Sequence, residues 1–329
     1  MEFLKRDIPG LAGDLDSVQL KALELAHDPL GRQPLTSVVE SALGDGGKLI
    51  RPILVLLSGR LGPGWPGCSA ALKDAAAIIE LTHTASLIHD DIVDDAPLRR
   101  GRPSVQSAYG KDMAVYAGDF LLSKVLGALM QPGMSDVGPV LSRSMADMCS
   151  GEMTQYAAQF DTKADESSYF ISISGKTASL FSAACEAGAI LSGCTREVTS
   201  GMCRFGHALG ILFQLRDDLM DCTDADAGAG KCLGMDFIRG VYTLPVLYSF
   251  LEPGYGPHLK ELSRSAASGE AGENLSAELM HLVTAAGGAA YTRWTMRQYH
   301  ERAKTELGQL PEGPIADALL RMASALLEE

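Results

Sequence analysis

The apolar positions of this chain fall in long stretches rich in Ala, Leu, Met and Gln, with few runs of single apolar–polar alternation. That pattern predicts helices. Unbranched side chains lose little freedom on a helix, whereas half-buried strands show a two-residue period. Gly and Pro cluster between the stretches, at Gly62–Gly67, Gln131–Pro139, Asp224–Gly230, Glu252–Pro257, Ser268–Gly272 and Pro311–Pro314, and mark the breaks. Aromatic residues make up only 6% of the chain, and no short strands recur at the spacing of a sandwich. The expected fold is all-α, a single bundle of about ten helices spanning residues 1–329. No composition shift marks a linker, and no solenoid repeat is present.

Two stretches carry more than a fold signal. Glu80–Val105 reads ELTHTASLIHDDIVDDAPLRRGRPSV. The spacing predicts a helix over Asp74–Ile92, with Pro97 ending it soon after. Asp90 and Asp94 are four residues apart, so both carboxylates leave one face, with Asp91 and Asp95 beside them. Like charges on one turn destabilise a helix unless a cation sits among them. Hard divalent ions suit such oxygen donors, and Mg2+ takes one or two carboxylates together with phosphate oxygens. Arg99, Arg100 and Arg102 follow directly, matched to phosphate by charge and geometry.

Gly206–Lys231 repeats the arrangement. Asp217, Asp218 and Asp221 have the same i, i+1, i+4 spacing at the end of an apolar helix, and Lys231 follows in a Gly-rich loop. One acidic helix end is most often a solvated face. Two of the same spacing, each where negative charge opposes the helix dipole, point to metal.

Charge and composition narrow the picture. The chain is 46% hydrophobic, which excludes disorder, and 28 Lys+Arg against 41 Asp+Glu give a net charge of −13. That balance argues against nucleic-acid binding by phosphate neutralisation and against a polybasic membrane anchor. No secretory signal and no apolar run long enough to span a membrane is visible. Seven scattered cysteines without a CxxC pair suggest neither zinc nor a disulfide framework, but reduced thiols in a cytoplasmic protein. Ser174–Thr177 (SGKT) lacks the first glycine of a P-loop, since Phe170 stands in its place, and Asp224 and Asp226 do not complete a calcium loop.

With these residues in view, the sequence resembles the trans-type polyprenyl diphosphate synthases, which extend allylic diphosphates with isopentenyl diphosphate. The match runs from about Gly46 to Pro311 in the family's order: GGKLIRP (Gly46–Pro52), HTASLIHDDIVDD with RRGRPS, AGDFLLSK (Ala117–Lys124), GEMTQ (Gly151–Gln155), SGKTASLF (Ser174–Phe181), FQLRDDLMD (Phe213–Asp221) and GKCLGMDFIRGVYTLPVLY (Gly230–Tyr248). The resemblance implies an antiparallel helical bundle around a central cavity, usually a homodimer, with three Mg2+ ions per active site. Asp90 and Asp94 would hold two of the ions with Asp91 supporting, and Asp217 the third with Asp218 and Asp221 nearby. Arg99, Lys176, Gln214 and Lys231 would contact the allylic diphosphate. Lys48, Arg51, His83 and Arg100 would hold isopentenyl diphosphate. Thr177 is expected in packing or local hydrogen bonding, with a backbone role near the diphosphate. The family often has Glu-Gly-Lys before Thr-Leu-Pro; here Arg239-Gly240-Val241 stands there, read as a mark of subtype.

A helix advances about 5.4 Å per turn, close to one isoprene unit, so side chains one turn apart act as successive gates on a growing tail. Ala85 and Ser86 are small, Thr82 is modest, and bulk first appears at Ile78 and Ile79. The expected product is therefore longer than farnesyl, in the hexaprenyl to octaprenyl range used for quinone side chains, and is passed to a membrane enzyme. The alternatives are a geranylgeranyl or farnesyl diphosphate synthase, a non-catalytic subunit of a heteromeric synthase, and a terpene cyclase. The intact second Asp cluster and the GGKLIRP and RRG basics speak against the last two.

Overall fold

The computed structural model describes residues 2–44, 47–223, 234–268, 275–310 and 312–328. Among them are seventeen α-helices and one two-stranded hairpin. The first seven helices are α1 (Glu2–Asp7), α2 (Leu11–Ala26), α3 (Leu35–Leu43), α4 (Ile50–Gly59), α5 (Ser69–Val93), α6 (Val105–Tyr109) and α7 (Lys111–Leu129). The next five are α8 (Val137–Ala157), α9 (Glu166–Ile173), α10 (Ser179–Leu191), α11 (Arg196–Thr223) and α12 (Met235–Ile238). The last are α13 (Leu244–Leu251), α14 (Gly256–Ala267), α15 (Leu275–Ala285), α16 (Gly288–Leu307) and α17 (Pro314–Glu328). The hairpin pairs β1 (Leu98–Arg99) with β2 (Arg102–Pro103). The all-α expectation holds. The helix number exceeds ten because short helices form where the chain turns inside an expected stretch, as at Gly110, whose φ of 90° separates α6 from α7.

The chain divides into two compact units, each discontinuous in sequence: Met1–Arg143, Ala183–Cys203 and Gln309–Leu319 in the first, Ser144–Ser182, Arg204–Gly308 and Leu320–Glu329 in the second.

In the first unit α5 is the spine and packs on α2, α4 and α7. Its buried apolar residues, among them Ala75, Ala76, Ala77, Ile78, Ile79, Leu81 and Ala85, are small or aliphatic, so neighbouring helices approach closely. Burial of one Ile at such a position stabilises by about 1.5–3 kcal/mol. Gly118 on α7 lets the His89 ring lie against the backbone, since a Cβ there would stand 2.3 Å from Nε2. After α5, the chain reverses through Arg100 and Gly101, both at positive φ (51° and 79°), the two-residue hairpin geometry that matches strand twist. Ser104 then caps α6, accepting from the Ser107 amide at 3.2 Å, while its hydroxyl donates to the Ala96 carbonyl at 2.6 Å.

In the second unit α13 (LPVLYSFL) is mostly apolar around its circumference and buried from Leu244 to Leu247 and again at Ser249 and Phe250, as a core helix is. It packs on α16 where Gly288 permits contact; a Cβ there would lie 2.1 Å from the Pro245 carbonyl oxygen. The π-helical turn Ser174–Ala178 between α9 and α10 meets α8 in the same way. Gly151 and Gly175 face each other there, and a Cβ on either would clash with the opposite backbone at 2.4 Å or less.

Candidate active site

Both acidic stretches end long helices, as expected. The first lies at the end of α5, one residue beyond the predicted Ile92, with Asp94 as the C-cap. Asp90 is half-buried and Asp94 exposed, while Asp91 points inward and is buried. The Asp91 carboxylate accepts from Arg99 Nε at 2.9 Å and from the terminal nitrogen at 2.5 Å. The cation that relieves crowding at Asp91 is therefore part of the protein, supplied by the hairpin eight residues on.

Arg99 also lines a cavity of about 500 Å³ wholly within the first unit. One wall comes from α2 and mixes Leu20 and Leu23 with Asp16 and Gln19. The other is polar and consists of Glu80, His83 and Asp91 from α5 with Arg99 and Arg100 from the hairpin. Glu80, His83, Thr84, Leu87 and Asp91 follow helical spacing and so share one face of α5. Gly47 borders the cavity, and its bare Cα admits the Arg100 guanidinium, 3.1 Å from where a Cβ would sit. Burial, then the charges of Arg51, Arg100 and Arg99, hold His83 well below the usual imidazole range. His83 is thus a neutral donor–acceptor amid three guanidiniums. Four of the residues proposed for two different diphosphates (Arg51, His83 and Arg100 for one, Arg99 for the other) are brought within mutual electrostatic reach. Lys48 is exposed just before α4.

In the second unit the middle acid of the cluster is held differently. Asp218 on α11 is buried and accepts from the Tyr169 hydroxyl and from Gln214 Nε2 at 2.8 Å. Gln214 Oε1 in turn accepts from Thr177 at 2.6 Å, so Thr177, Gln214, Asp218 and Tyr169 form one chain. Burial, assisted by the charges of Asp236 and Asp217, pushes the Asp218 carboxyl up to about 7 against those hydrogen bonds. Asp217 is exposed. Asp221 is half-buried; burial raises it, while the amides of Asp236, Met235 and Gly234 donate to its carboxylate. Lys176, on the π turn, pairs with Glu152 at 2.9 Å, a contact the facing glycines Gly151 and Gly175 make possible. Lys231 lies outside the described residues.

Of the residues proposed to set chain length, Ala85 and Thr82 are buried, and the Thr82 hydroxyl donates to the Ile78 carbonyl at 2.9 Å. Ser86 is half-buried and donates to the His83 carbonyl at 2.9 Å. Glu80, Glu152 and Tyr169 are site neighbours that sequence reasoning did not assign. Glu80 had a signal, lying three residues before His83 on the same helix. Tyr169 had none, since it meets Asp218 across 49 residues.

The donor set suits a hard divalent ion. Asp90 with Asp94, and Asp217 with Asp221, offer carboxylate oxygens one turn apart, without thiolate. Among the described residues no three acidic, imidazole or thiol side chains form a ready protein cage. An ion here would complete its shell with oxygens from elsewhere, which is how Mg2+ binds with phosphates.

Comparison with known proteins bears on what the arrangement is for. The Polyprenyl synthetase family model matches residues 32–277. The chain is 34% identical over 312 residues to the octaprenyl diphosphate synthase of Escherichia coli (strain K12), covering 95% of this chain and 94% of that protein. It is 32% identical over 309 residues to heptaprenyl diphosphate synthase component 2 of Bacillus subtilis (strain 168), covering 94% and 86%. A crystal structure of polyprenyl synthase from Caulobacter crescentus CB15, complexed with calcium and isoprenyl diphosphate, superposes with a TM-score of 0.90 at 28% identity and covers 99% of this chain and 98% of that one. With three quarters of its length inside the family model and identities above 30% over nearly all of it, the chain belongs to the polyprenyl synthetase family.

Proposed function

We propose that this protein is a prenyltransferase that extends an allylic diphosphate by repeated head-to-tail 1′–4 condensation with isopentenyl diphosphate, giving an all-trans chain of six to eight isoprene units. The observation that carries the reading is the polar wall of the first-unit cavity, where Arg99 and Arg100 of the hairpin meet His83, which lies two turns before Asp90 on α5. Basic side chains beside acidic helix ends are what a reaction between two diphosphates requires.

Asp90, Asp94 and Asp217 are the proposed Mg2+ ligands, for three ions, with Asp91, Asp218 and Asp221 in support. These carboxylates would hold Mg2+, which would supply Lewis-acid neutralisation of the leaving diphosphate. Arg99, Lys176, Gln214 and Lys231 bind that diphosphate and orient its allylic carbon. Lys48, Arg51, His83 and Arg100 hold isopentenyl diphosphate by charge and hydrogen bonds, so its double bond is presented at a fixed place. Ala and aliphatic residues along α5 exclude water, which would otherwise capture the allylic cation. The departing diphosphate accepts the final proton. Thr177 acts through Gln214, which its hydroxyl fixes.

The product length rests on the small side chains of Ala85, Ser86 and Thr82 and accords with the octaprenyl and heptaprenyl relatives. Ala85→Phe is expected to shorten the product; an unchanged distribution would remove α5 as the tail's path. The working form is a homodimer formed through α7, whose outer face exposes Val115, Tyr116, Leu126 and, at its end, Met130. The name of the Bacillus subtilis relative suggests a second reading, in which a different chain is needed for turnover. Light scattering on the purified chain, paired with an elongation assay, separates the two: a dimer that is active alone supports the homodimer. No helix among the described residues is long and apolar enough to cross a membrane, and we place the enzyme in the cytoplasm, releasing product to a membrane enzyme. The direct test is incubation with Mg2+, isopentenyl diphosphate and each of dimethylallyl, geranyl, farnesyl and geranylgeranyl diphosphate, with product length read by mass. Folded protein that elongates none of them would reject the reading.

A further inference from the structure

We propose that Glu80 is a positioning residue of the isopentenyl diphosphate site, holding the guanidiniums of Arg51 and Arg100 apart and in place before the diphosphate arrives. The proposal rests on the functional reading above and adds a residue to it.

Glu80 is on the face of α5 that lines the cavity, one turn before His83. Arg100 reaches the same cavity from the hairpin, at the tip where Arg100 itself takes the positive φ of the turn. Arg51 sits in the first turn of α4, which packs on α5. Both guanidiniums lie within electrostatic reach of the Glu80 carboxyl and oppose the rise that burial causes in it. His83 lies within electrostatic reach of Arg51, Arg100 and Arg99, and Arg99 and Arg100 line the cavity with it. Cations so placed repel one another, and long side chains would swing outward to relieve it.

Asp91 solves this for Arg99 by a bidentate pair; of the cavity's other two carboxylates, Asp16 comes from α2 and Glu80 shares the α5 face with His83. Because His83 stays neutral, the Arg51–Arg100–Glu80 group keeps a net charge of one positive, which still attracts a diphosphate. An arginine pre-aimed by a carboxylate loses less freedom when the ligand binds, and that saving appears as affinity. A carboxylate beside an anion site also repels the anion. The proposal is that aim outweighs repulsion here.

The opposing effects give the test its sign. In steady-state assays of the full chain with Mg2+ and farnesyl diphosphate, Glu80→Gln is expected to raise KM for isopentenyl diphosphate about tenfold, with KM for farnesyl diphosphate and kcat within about threefold of wild type. Glu80→Asp should recover most of the loss. Calorimetric titration of the metal-free protein with inorganic pyrophosphate should show the same order of affinity, wild type then Asp then Gln. A KM for isopentenyl diphosphate that is unchanged or lower in Glu80→Gln overturns the proposal, because Glu80 would then only dilute positive charge. A parallel fall in every parameter together with a lower melting temperature also overturns it, since that marks a packing role. If wild type elongates no primer, the functional reading fails, and the pyrophosphate titration alone decides whether Glu80 positions the anion site.

Discussion

At the end of α5, Asp91 is buried against Arg99 in a two-point ion pair; at the end of α11, Asp218 is buried with no cation on it among the described residues, between a tyrosine hydroxyl and a glutamine amide. The sequence around them is the same, two adjacent aspartates with a third three residues on. In each cluster the first and last acids remain at the surface or half-buried, and the middle one turns inward. At the first the protein supplies positive charge from a hairpin. At the second it supplies hydrogen bonds, and burial then raises the carboxyl to about 7. Equal spacing thus fixes which acids face outward, while the local partners decide how the inward acid is tolerated.

The comparison can be broken at several points. The largest effect is expected from the outward acids: Asp90→Asn and Asp217→Asn should each lower kcat by about 10²–10³-fold, the loss typical of one removed electrostatic contact to a developing charge. The measurement is initial rate against Mg2+ concentration. A loss confined to one cluster would mean that the two are not equivalent in function.

The middle acids should differ in stability. Asp91→Asn leaves the Arg99 guanidinium facing a neutral amide and is expected to cost about 2 kcal/mol, discounted from a fully buried pair because Arg99 keeps some exposure. Asp218→Asn keeps a polar group of the same shape beside Tyr169 and Gln214 and is expected to cost about 1 kcal/mol. Urea unfolding of both variants at neutral pH checks the order; the reverse order would contradict the contrast between ion pairing and neutral hydrogen bonding.

A smaller effect separates stability from activity. Asp28, outside both clusters, is also held by charge: Arg32 donates to it from Nε at 2.9 Å and from a terminal nitrogen at 2.8 Å. The Arg32 side chain and backbone amide hold its carboxyl well below the usual range. A folded pKa held below the unfolded one stabilises the native state above the unfolded value, and that contribution is lost only as pH falls on through the folded pKa. Asp28→Asn should therefore lower the melting temperature at pH 7 without changing turnover, and the difference should persist to about pH 4 and shrink as the pH is lowered further. Smallest of all is Val241→Lys. Val241 donates its amide to the Asp236 carbonyl at 2.8 Å, a bond any residue but proline can make. Activity should be retained, and a gain from an inactive wild type would instead identify a non-catalytic subunit.

Much of this was legible in the sequence, for physical reasons. Helix content followed from apolar stretches and their Gly and Pro breaks, and the outward acids followed from the i, i+4 rule. The Asp91–Arg99 pair spans eight residues and needs only a tight turn, so the basic run beside the acids hinted at it. The Tyr169 partner of Asp218 and the Glu152 partner of Lys176 come from 49 and 24 residues away. Those contacts depend on which helix faces touch, and periodicity carries no information on that. Gly151 and Gly175 illustrate the limit. They were seen only as parts of two motifs, and their closeness across the π turn emerged with the packing. Glu80 lay between these cases, on a legible face whose partners were not.

The most direct test of the account is the length of chain made from farnesyl diphosphate, isopentenyl diphosphate and Mg2+ by wild type, Asp90→Asn and Asp217→Asn, resolved by mass spectrometry. The account predicts hexaprenyl to octaprenyl diphosphate from wild type and almost none from either variant. Folded wild type that leaves farnesyl diphosphate unextended, or an Asp217→Asn variant that elongates at the wild-type rate, would contradict it.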